Sequence, residues 1–272
     1  MEILVLIKQV PDDSVDIQLD PSTNAPKLDG VTPVTNAFDT YALEMATRFK
    51  EANGGTITLA TIGDDGAVSS IKECLAVGGD KGFLIKDDSF ADSDPAAKGY
   101  ILSKAAAKLE ELNGAKFDII FAGKEATDFS KDLVPAYLAQ ELGVPVVSDV
   151  IAVDPADGGL LVKQETDTGY NMIDVATPCV LAIQKPDYDP RYPTIKNKMK
   201  ARKAQVPVLT AADLGTEADK VGAAGSLTKT IGMHAPAKKQ AGVKIVPPAD
   251  VENPIAAATA QAVSIMAEAK VL

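Results

Sequence analysis

Short apolar runs alternate with amphipathic stretches from the start of the chain. Residues 2–8 (EILVLIK) and 56–62 (TITLATI) are rich in aliphatic and β-branched side chains, as is typical of strands buried on both faces of a sheet. Residues 36–53 carry apolar side chains at helical spacing, and Gly54 ends that pattern. A helix therefore connects these two strands. The polar residues 14–35 leave room for a short hairpin before it.

The same alternation continues to about residue 184. In chain order it predicts a helix ending near 77, a strand at 82–85, a helix at 95–113, a strand at 117–121, a helix starting near 133, a strand pair at 144–154 and 159–165, and a strand at 179–184. Strands that alternate with helices through short loops predict a doubly wound, mostly parallel α/β sheet.

The composition changes at about residue 185. Residues 185–207 contain four prolines and a run of lysines and arginines, whereas 204–250 show little periodicity before a final amphipathic helix at about 254–270. We therefore expect an α/β nucleotide-binding domain at 1–189 and an extended arm at 190–272. The arm is either a solvated tail or a subunit-contact segment with a basic docking patch.

Charge and patterning exclude several classes of partner. The net charge of −11 and pI of about 4.6 argue against nucleic acid or an anionic membrane surface as a general partner. No apolar run approaches the roughly 18 residues of a membrane-spanning helix. The N-terminal MEILVLIKQV is interpreted as a strand and not as a signal peptide. Cys74 and Cys179 lack metal-ligand spacing and are expected to be buried thiols in a cytoplasmic protein.

Common catalytic motifs are missing from the sequence. His234 is the only histidine, which excludes His-based triads and multi-histidine metal sites. There is neither a GxxxxGK[ST] phosphate loop nor a GxGxxG dinucleotide fingerprint. The chain is therefore not expected to be a catalyst by itself.

The strongest candidate for ligand binding is the connection between the strand at 117–121 and the helix that starts near Leu133. Its loop contains Gly123, Thr127, Asp128 and Ser130, which suit a sharp turn and two of which could cap the helix, and Pro135 suits the first helical turn. Such a loop presents free N–H groups to an anion, which favours a phosphate. An ordinary connection that binds nothing has the same pattern, so both interpretations stay open.

Five segments carry a more specific signal. The longest is PRYPTIKNKMKARK, and the others are IKQVPD at 7–12, TNAFDTYALEMA at 35–46, ECLAVGGDKG at 73–82 and AGKEATD at 122–128. In this order they resemble segments of the β subunit of electron transfer flavoprotein. The family pattern for the longest segment falls on Pro190, Arg191, Tyr192, Thr194, Asn197, Met199, Lys200 and Lys203. The chain is identified by this resemblance, over nearly its whole length, as a member of that family.

The resemblance implies a heterodimer in which an α subunit holds most of the FAD. The β subunit has a Rossmann-like fold, similar to that of the adenine nucleotide alpha-hydrolases, with a C-terminal arm that packs on the α subunit. It also implies an adenine nucleotide site in the β subunit, which holds AMP in housekeeping members and a second FAD in electron-bifurcating members. By position this site falls on Leu6, Asn36, Ala37, Phe38, Asp39, Ile62, Gly123, Lys124, Glu125, Ala126, Thr127, Asp128, Phe129, Ser130, Lys131, Asp132, Leu133 and Val134.

The sequence departs from the family pattern at the end of this loop. Pro135 stands where relatives carry a glycine, so an N–H that contacts phosphate in them would be absent here. Lys131 and Ser130 offer a compensating charge and hydroxyl. AMP is favoured as the ligand and FAD is the alternative, while a purely structural role for the site stays open. Phe38 is either a packing residue or a stacking residue near the flavin of the partner subunit.

The resemblance also implies that the basic segment docks electron-transfer partners. In the family an aliphatic anchor, here Ile195, enters an apolar pocket of an acyl-CoA dehydrogenase, unless its own chain covers it. A lysine-ringed aliphatic side chain suits a buried anchor with an electrostatic rim. The residues expected to dock are Arg191, Tyr192, Ile195, Lys196, Lys198, Met199, Lys200 and Lys203. Glu165 matches an acid that positions the mobile flavin domain, or it is an ordinary surface glutamate.

The function implied by the resemblance is electron carriage. The subunit would accept electrons from flavin dehydrogenases, such as the acyl-CoA dehydrogenases of fatty acid β-oxidation, and deliver them to an ETF-quinone oxidoreductase or a similar acceptor. An electron-bifurcating subunit that oxidises NADH is the alternative. A stand-alone nucleotide-binding module of the universal-stress type shares this fold but would not need the segment at 190–203. An enzyme of the adenine α-hydrolase group would need an SGGxDS-like loop where the sequence has KQVPDDSVD.

Overall fold

The computed structural model describes residues 1–235, 242, 244–247 and 249–271. They form two compact units, Met1–Met233 and His234–Leu272. The strands are β1 Glu2–Leu6, β2 Gln9–Pro11, β3 Pro33–Thr35, β4 Thr56–Ile62, β5 Lys81–Ile85, β6 Ile119–Gly123, β7 Val146–Ala156, β8 Gly159–Thr166, β9 Gly169–Ala176, β10 Cys179–Ile183 and β11 Val208–Leu209. The helices are α1 Ala37–Asn53, α2 Val68–Val77, α3 Pro95–Asn113, α4 Val134–Leu142, α5 Ile195–Arg202, α6 Ala211–Leu214, α7 Gly222–Gly225 and α8 Pro254–Glu268.

Nine strands form one sheet in the order β11-β5-β4-β1-β6-β10-β7-β8-β9. Neighbouring strands from β11 to β7 are parallel, whereas β7, β8 and β9 form an antiparallel meander. The chain proceeds from β1 through β4 to β5 on one side, then crosses to β6 on the other side of β1. The strand order therefore reverses between β1 and β6, where open α/β sheets bind ligands. The predicted doubly wound, mostly parallel sheet is confirmed.

Both faces of the sheet are covered. Successive residues of β1 point to opposite faces, so that Ile3 and Val5 pack with α1 and α2, while Leu4 and Leu6 pack with α3 and α4. This double burial explains why the first strand is a continuous apolar run instead of an alternating one. A separate two-stranded hairpin, β2 with β3, leads into α1, at the place where the polar segment left room for one. Both free cysteines are buried, as expected.

The first compact unit extends past the boundary expected at residue 190. Residues 190–233 belong to it, because β11 pairs with β5 and because Leu209, Leu214 and Val221 are buried in the core cluster that contains α3. The change of composition at 185 therefore marks a change of surface and not the end of the core. The arm that the structure separates from the body begins at His234.

The second unit contains α8, where the sequence predicts the final amphipathic helix. Asn253 caps it, since its Oδ1 accepts the N–H of Ala256 at 3.0 Å. None of the side chains of α8 is buried, and Ile255, Val263 and Met266 are among its exposed apolar residues. In the described part of the chain, no helix combines the length and the apolarity required to cross a lipid bilayer.

Candidate nucleotide site and docking surface

A cavity of about 1040 Å³ opens at the carboxyl ends of β1, β4 and β6, where the strand order reverses. The strand ends contribute apolar side chains to it, among them Leu6, Ala60, Ile62 and Ala122. The loop after β6, the start of α3 and residues 223–230 complete its walls. Ligand sites commonly measure roughly 300–1,000 Å³. This volume is therefore sufficient for a nucleotide.

Asp39, on the first turn of α1, connects the two strands at the reversal. Its Oδ2 accepts the N–H of Lys8 at 2.6 Å and its Oδ1 accepts the N–H of Gly123 at 3.1 Å. Burial raises the pKa of Asp39 to about 7, although hydrogen bonds from Asn36, Lys8 and Gly123 oppose the shift. One carboxyl group therefore fixes the ends of β1 and β6 relative to the start of α1.

Asn36 holds the loop after β6 in place. Its Nδ2 donates to the carbonyl oxygen of Glu125 at 2.7 Å, and its Oδ1 accepts the N–H of Thr127 at 3.2 Å. Its own N–H donates to the carbonyl oxygen of Lys8 at 2.9 Å. Asn36 is the N-cap of α1 by position, but its side chain makes no capping hydrogen bond. That side chain instead forms hydrogen bonds with the loop after β6.

Gly123 allows α1 to approach the end of β6. A Cβ atom at this position would lie 2.8 Å from the Cβ of Phe38 and 2.9 Å from the N of Asp39, and it would clash still more closely with Asp39 Oδ1. The glycine is therefore required by packing, independently of any ligand.

The polar residues of the loop do not cap α4, so that prediction is wrong. The N-cap of α4 is Leu133, which has no side-chain capping bond, although Pro135 does lie in the first turn as expected. Asp128 is instead paired with Lys8, whose Nζ lies 2.6 Å from both carboxylate oxygens. Ser130 and Asp132 have φ values of 42° and 55°, in the left-handed region, so the chain turns sharply just before α4.

Residues 226–230, which we call the strap, form one wall of the cavity. The sequence pattern does not predict this wall. Asp94 holds it: Oδ2 accepts the N–H of Leu227 at 2.9 Å and the N–H and hydroxyl of Thr228 at 2.8 and 2.9 Å. The other oxygen of Asp94 caps α3 through the N–H groups of Ala96 and Ala97. These hydrogen bonds outweigh the effect of burial and hold the pKa of Asp94 below its usual value.

The structure brings most of the expected nucleotide-site residues to this cavity. Those lining it are Leu6, Asn36, Asp39, Ile62, Gly123, Lys124, Glu125, Ala126, Phe129, Lys131, Asp132, Leu133 and Val134. Those outside its lining are Ala37, Phe38, Thr127, Asp128 and Ser130. The ring of Phe38 packs edge-on against Tyr41 with centroids 6.2 Å apart.

Sequence reasoning missed the α3 side of the cavity. Asp94 and Pro95 form an N-cap and first-turn pair directly after a βα connection, so they marked a helix start at the same edge of the sheet. Lys98 follows one turn later and also lines the cavity. The strap carries no comparable signal, because its position depends on contacts with residues more than a hundred positions earlier in the chain.

The segment expected to dock partners is exposed on the surface. Ile195 is 81% exposed and Tyr192 is 95% exposed, so neither is covered by its own compact unit. Met199, Lys196, Lys198, Lys200 and Lys203 are exposed as well. The segment forms α5, a helix that the sequence pattern does not predict, and Thr194 caps it by accepting the N–H of Asn197 at 3.2 Å.

Arg191 differs from the other residues of this segment, because its guanidinium is paired with two glutamates of α1. Its Nε donates to Glu44 at 2.8 Å and its Nη2 donates to Glu51 at 2.9 Å. Glu44 is only 1% exposed and also accepts from Arg48 Nε at 2.6 Å. Burial raises the pKa of Glu44, but the hydrogen bonds from the two arginines outweigh it and leave that pKa lowered. Arg191 thus anchors the segment to the body and is not a free charge on its rim.

Glu165 lies apart from both features. It is exposed in β8, opposite Tyr170 of β9, in the antiparallel part of the sheet. It does not line the cavity. In the described residues it forms no ion pair, and the neighbouring β9 is the last strand of the sheet.

Comparison with known proteins relates the whole chain to one family. The family model described as the electron transfer flavoprotein domain matches residues 29–214. Electron transfer flavoprotein subunit beta of Thermoanaerobacterium thermosaccharolyticum is 37% identical over 243 residues, covering 89% of this chain and 91% of that protein. The same subunit of Megasphaera elsdenii is 35% identical over 257 residues, covering 94% and 95%. Subunit CarD of the caffeyl-CoA reductase-Etf complex of Acetobacterium woodii is 32% identical over 246 residues, covering 90% and 92%.

Proposed function

The chain belongs to the electron transfer flavoprotein family as a β-subunit homologue, and we propose that it works as half of a heterodimer with an α subunit. In that heterodimer it carries electrons from flavin dehydrogenases, of which acyl-CoA dehydrogenases are the first candidates, to a quinone oxidoreductase or similar acceptor. FAD, held mainly by the α subunit, supplies the redox chemistry when bound. This chain supplies position, contact surface and electrostatics, and it is not a catalyst by itself.

We further propose that the cavity holds an adenine nucleotide, with AMP as the first candidate. The chemistry of the lining supports this fit. Apolar strand ends suit the face of a base, the Asp39 and Asn36 hydrogen bonds fix the walls, and the glycine at position 123 leaves the strand end without a side chain. The bound nucleotide would serve a structural role, while redox chemistry stays with the flavin.

The second candidate for this cavity is FAD, as in an electron-bifurcating subunit that uses NADH. Its volume favours this candidate, because about 1040 Å³ lies at the upper limit of common ligand sites. A dinucleotide uses such a space more fully than a mononucleotide. Pro135 removes an N–H at the start of α4, and this loss does not distinguish between the two ligands.

The docking role rests on one observation, the exposure of an aliphatic side chain inside a lysine-rich segment. Ile195 at 81% exposure is ringed by exposed Lys196, Lys198 and Lys200. A large apolar side chain presented to water costs free energy unless a partner covers it, and the lysines would steer an acidic partner surface. Glu165 is proposed to orient the mobile flavin domain of the complex.

The test uses the chain purified together with its α subunit. Reduction of the bound flavin by an acyl-CoA dehydrogenase is followed at several dehydrogenase concentrations, for wild type and for Ile195→Ala. We expect the variant to raise KM about tenfold or more with little change in kcat, because it removes an anchor and not a redox group. Leu112→Ala is the control, because Leu112 is an exposed aliphatic residue that lies outside both α5 and the cavity lining. Equal KM values for all three proteins would refute the docking role.

A further inference from the structure

Lys98 is a half-buried cation in the cavity wall. It lies in the early part of α3, and no carboxylate of the described residues forms an ion pair with it. Its Nζ lies 5.9 Å from the centroid of the Phe129 ring. Burial, followed by repulsion from Lys8, lowers the pKa of Lys98. The attraction of Asp128 and Asp94 only partly opposes this shift, and neither carboxylate is paired directly with Lys98. A half-buried ammonium group without a direct ion pair is costly, and an anionic group of a ligand would offset that cost.

The neighbouring cations are already engaged. Lys8 contacts both oxygens of Asp128 at 2.6 Å, and Lys124 pairs with Asp149 at 2.7 Å. Lys131 and Lys229 also line the cavity, but both lie at its exposed rim. Lys98 is therefore the half-buried lysine of this wall that has no direct ion pair among the described residues.

The start of α4, the other place where a phosphate could bind, is poorly equipped. Pro135 has no N–H, and the N–H of Tyr137 donates to the carbonyl oxygen of Leu133 at 3.0 Å. Leu133 brings no polar side chain to the N-cap position. The first turn therefore lacks one of the N–H groups that a helix start normally offers to an anion, and the N-cap side chain does not replace it.

On the α3 side, by contrast, hydrogen bonds hold the wall of the cavity in place. Asp94 fixes the strap through three hydrogen bonds of 2.8–2.9 Å. The hydroxyl of Ser93 accepts the N–H of Gly222 at 2.9 Å, and the N–H of Asp94 donates to the hydroxyl of Ser226 at 2.9 Å. These bonds keep the strap against the start of α3, and Lys98, one turn further along that helix, is itself only partly exposed to water. Shielding strengthens the attraction between an ammonium group and a phosphate.

We propose that Lys98 binds a phosphate of the adenine nucleotide held in this cavity. The anion would then be recognised from α3 and the strap, and not from the start of α4. The inference rests on the proposed nucleotide site, and it assigns the phosphate to a residue outside the loop 123–134. It applies to the phosphoryl group of AMP and to the pyrophosphate of FAD.

The experiment compares ligands that differ in phosphate. The full-length chain in complex with its α subunit is freed of nucleotide by dialysis against charcoal and titrated with AMP, FAD and adenosine by calorimetry. For Lys98→Gln we expect the Kd of AMP or FAD to rise about tenfold to a hundredfold, because a charge-assisted hydrogen bond is lost. The affinity for adenosine should be unchanged, and Lys98→Arg should retain most of the phosphate affinity.

Lys104→Gln is the matched control, since Lys104 lies on the same helix over the ring of Tyr100 and outside the cavity lining. It should alter none of the three affinities. If Lys98→Gln binds AMP and FAD as tightly as wild type does, the assignment of Lys98 is overturned while the nucleotide site stands. If the wild-type complex binds neither AMP nor adenosine, and takes up no FAD beyond the one held by the α subunit, the proposed nucleotide site itself is refuted, and the role of Lys98 with it.

Discussion

At the scale of single residues, the shape of the cavity depends on three residues. Asp39 is buried and joins two strand ends, Asn36 gives its side chain to a loop instead of to its own helix, and Gly123 makes room for both. Asp39 and Asn36 act through hydrogen bonds to residues more than thirty positions away in the chain. Gly123 acts through its lack of a side chain. The three residues form one unit, so a change at any of them should disturb the end of the sheet.

Gly123→Ala tests the close approach of α1. The added methyl group would meet Phe38 and Asp39 at distances that require movement of α1. We expect a loss of about 1–3 kcal/mol in the free energy of unfolding, as for overpacking of a core. Gly169→Ala is the control, because nothing lies within 4 Å of a Cβ there, and it should change stability by less than about 0.5 kcal/mol. Equal effects in urea denaturation would contradict this account.

Asp39 gives the chain a pH-dependent stability. Because burial raises its pKa from 3.8 to about 7, the folded chain binds more protons than the unfolded chain between those values. The contribution of Asp39 to the free energy of unfolding therefore falls as pH rises from about 4 to about 7, by on the order of 3 kcal/mol. The stability of wild type minus that of Asp39→Asn should be larger at pH 5 than at pH 8. A difference that does not change with pH would show that Asp39 is ionised throughout.

At the scale of elements, α1 connects the cavity to the docking segment. Its first turn carries Asp39, and further along the helix Glu44 and Glu51 bind Arg191. The C-terminal end of α5 is held by the burial of Ala201 and by Lys72, whose Nζ donates to the carbonyl oxygen of Arg202 at 3.1 Å. The exposed Ile195 therefore lies on a helix fixed at both ends. If it is the docking anchor proposed above, this fixation reduces the entropy lost on docking.

Arg191→Ala should loosen this presentation. We expect amide hydrogen exchange across 195–202 to become about tenfold faster or more, because the variant leaves buried Glu44 with only Arg48 as a partner. Amides in α3 should be unaffected. Arg202→Ala is the matched control, since its side chain is exposed on the same helix. Unchanged exchange in Arg191→Ala would mean that the contacts near Ala201 alone hold α5.

The elements that the sequence predicted are those with a strong apolar period. β4 and α3 have the expected boundaries because each buries a continuous face. β9 was missed because most of its residues are exposed at the edge of the sheet, and α5 was missed because its circumference is almost wholly polar. The loops at 36–39 and 123–126 were predicted for the cavity, whereas the strap was not, because Asp94 and Leu227 meet only in the folded chain.

At the scale of the whole molecule, the boundary between the core and the arm lies further along the chain than the change of composition at about residue 185 indicates. The core clusters include residues from Ile3 to Val221, and the first compact unit ends at Met233. The basic, proline-rich segment is thus part of the body. This arrangement suits a subunit whose docking surface must keep a fixed relation to its ligand cavity.

Two truncations distinguish these boundaries. Residues 1–233 should fold with a sheet of wild-type stability and should bind the α subunit less tightly, because they lack only the arm. Residues 1–189 lose three core side chains, Leu209, Leu214 and Val221, each worth about 1.5–3 kcal/mol. That sum is comparable to the stability of a domain, so the shorter fragment should be largely unfolded by circular dichroism. Cooperative unfolding of 1–189 at the wild-type temperature would contradict the later boundary.

The central claim is that this chain is the nucleotide-holding half of a flavin carrier. The most direct measurement is to denature the purified complex with its α subunit and count the small molecules released. We expect one FAD and one further adenine nucleotide per heterodimer, with AMP for a simple carrier and a second FAD for a bifurcating one. Release of a single FAD and no other adenine nucleotide, from a complex purified without nucleotide-stripping steps, would contradict it.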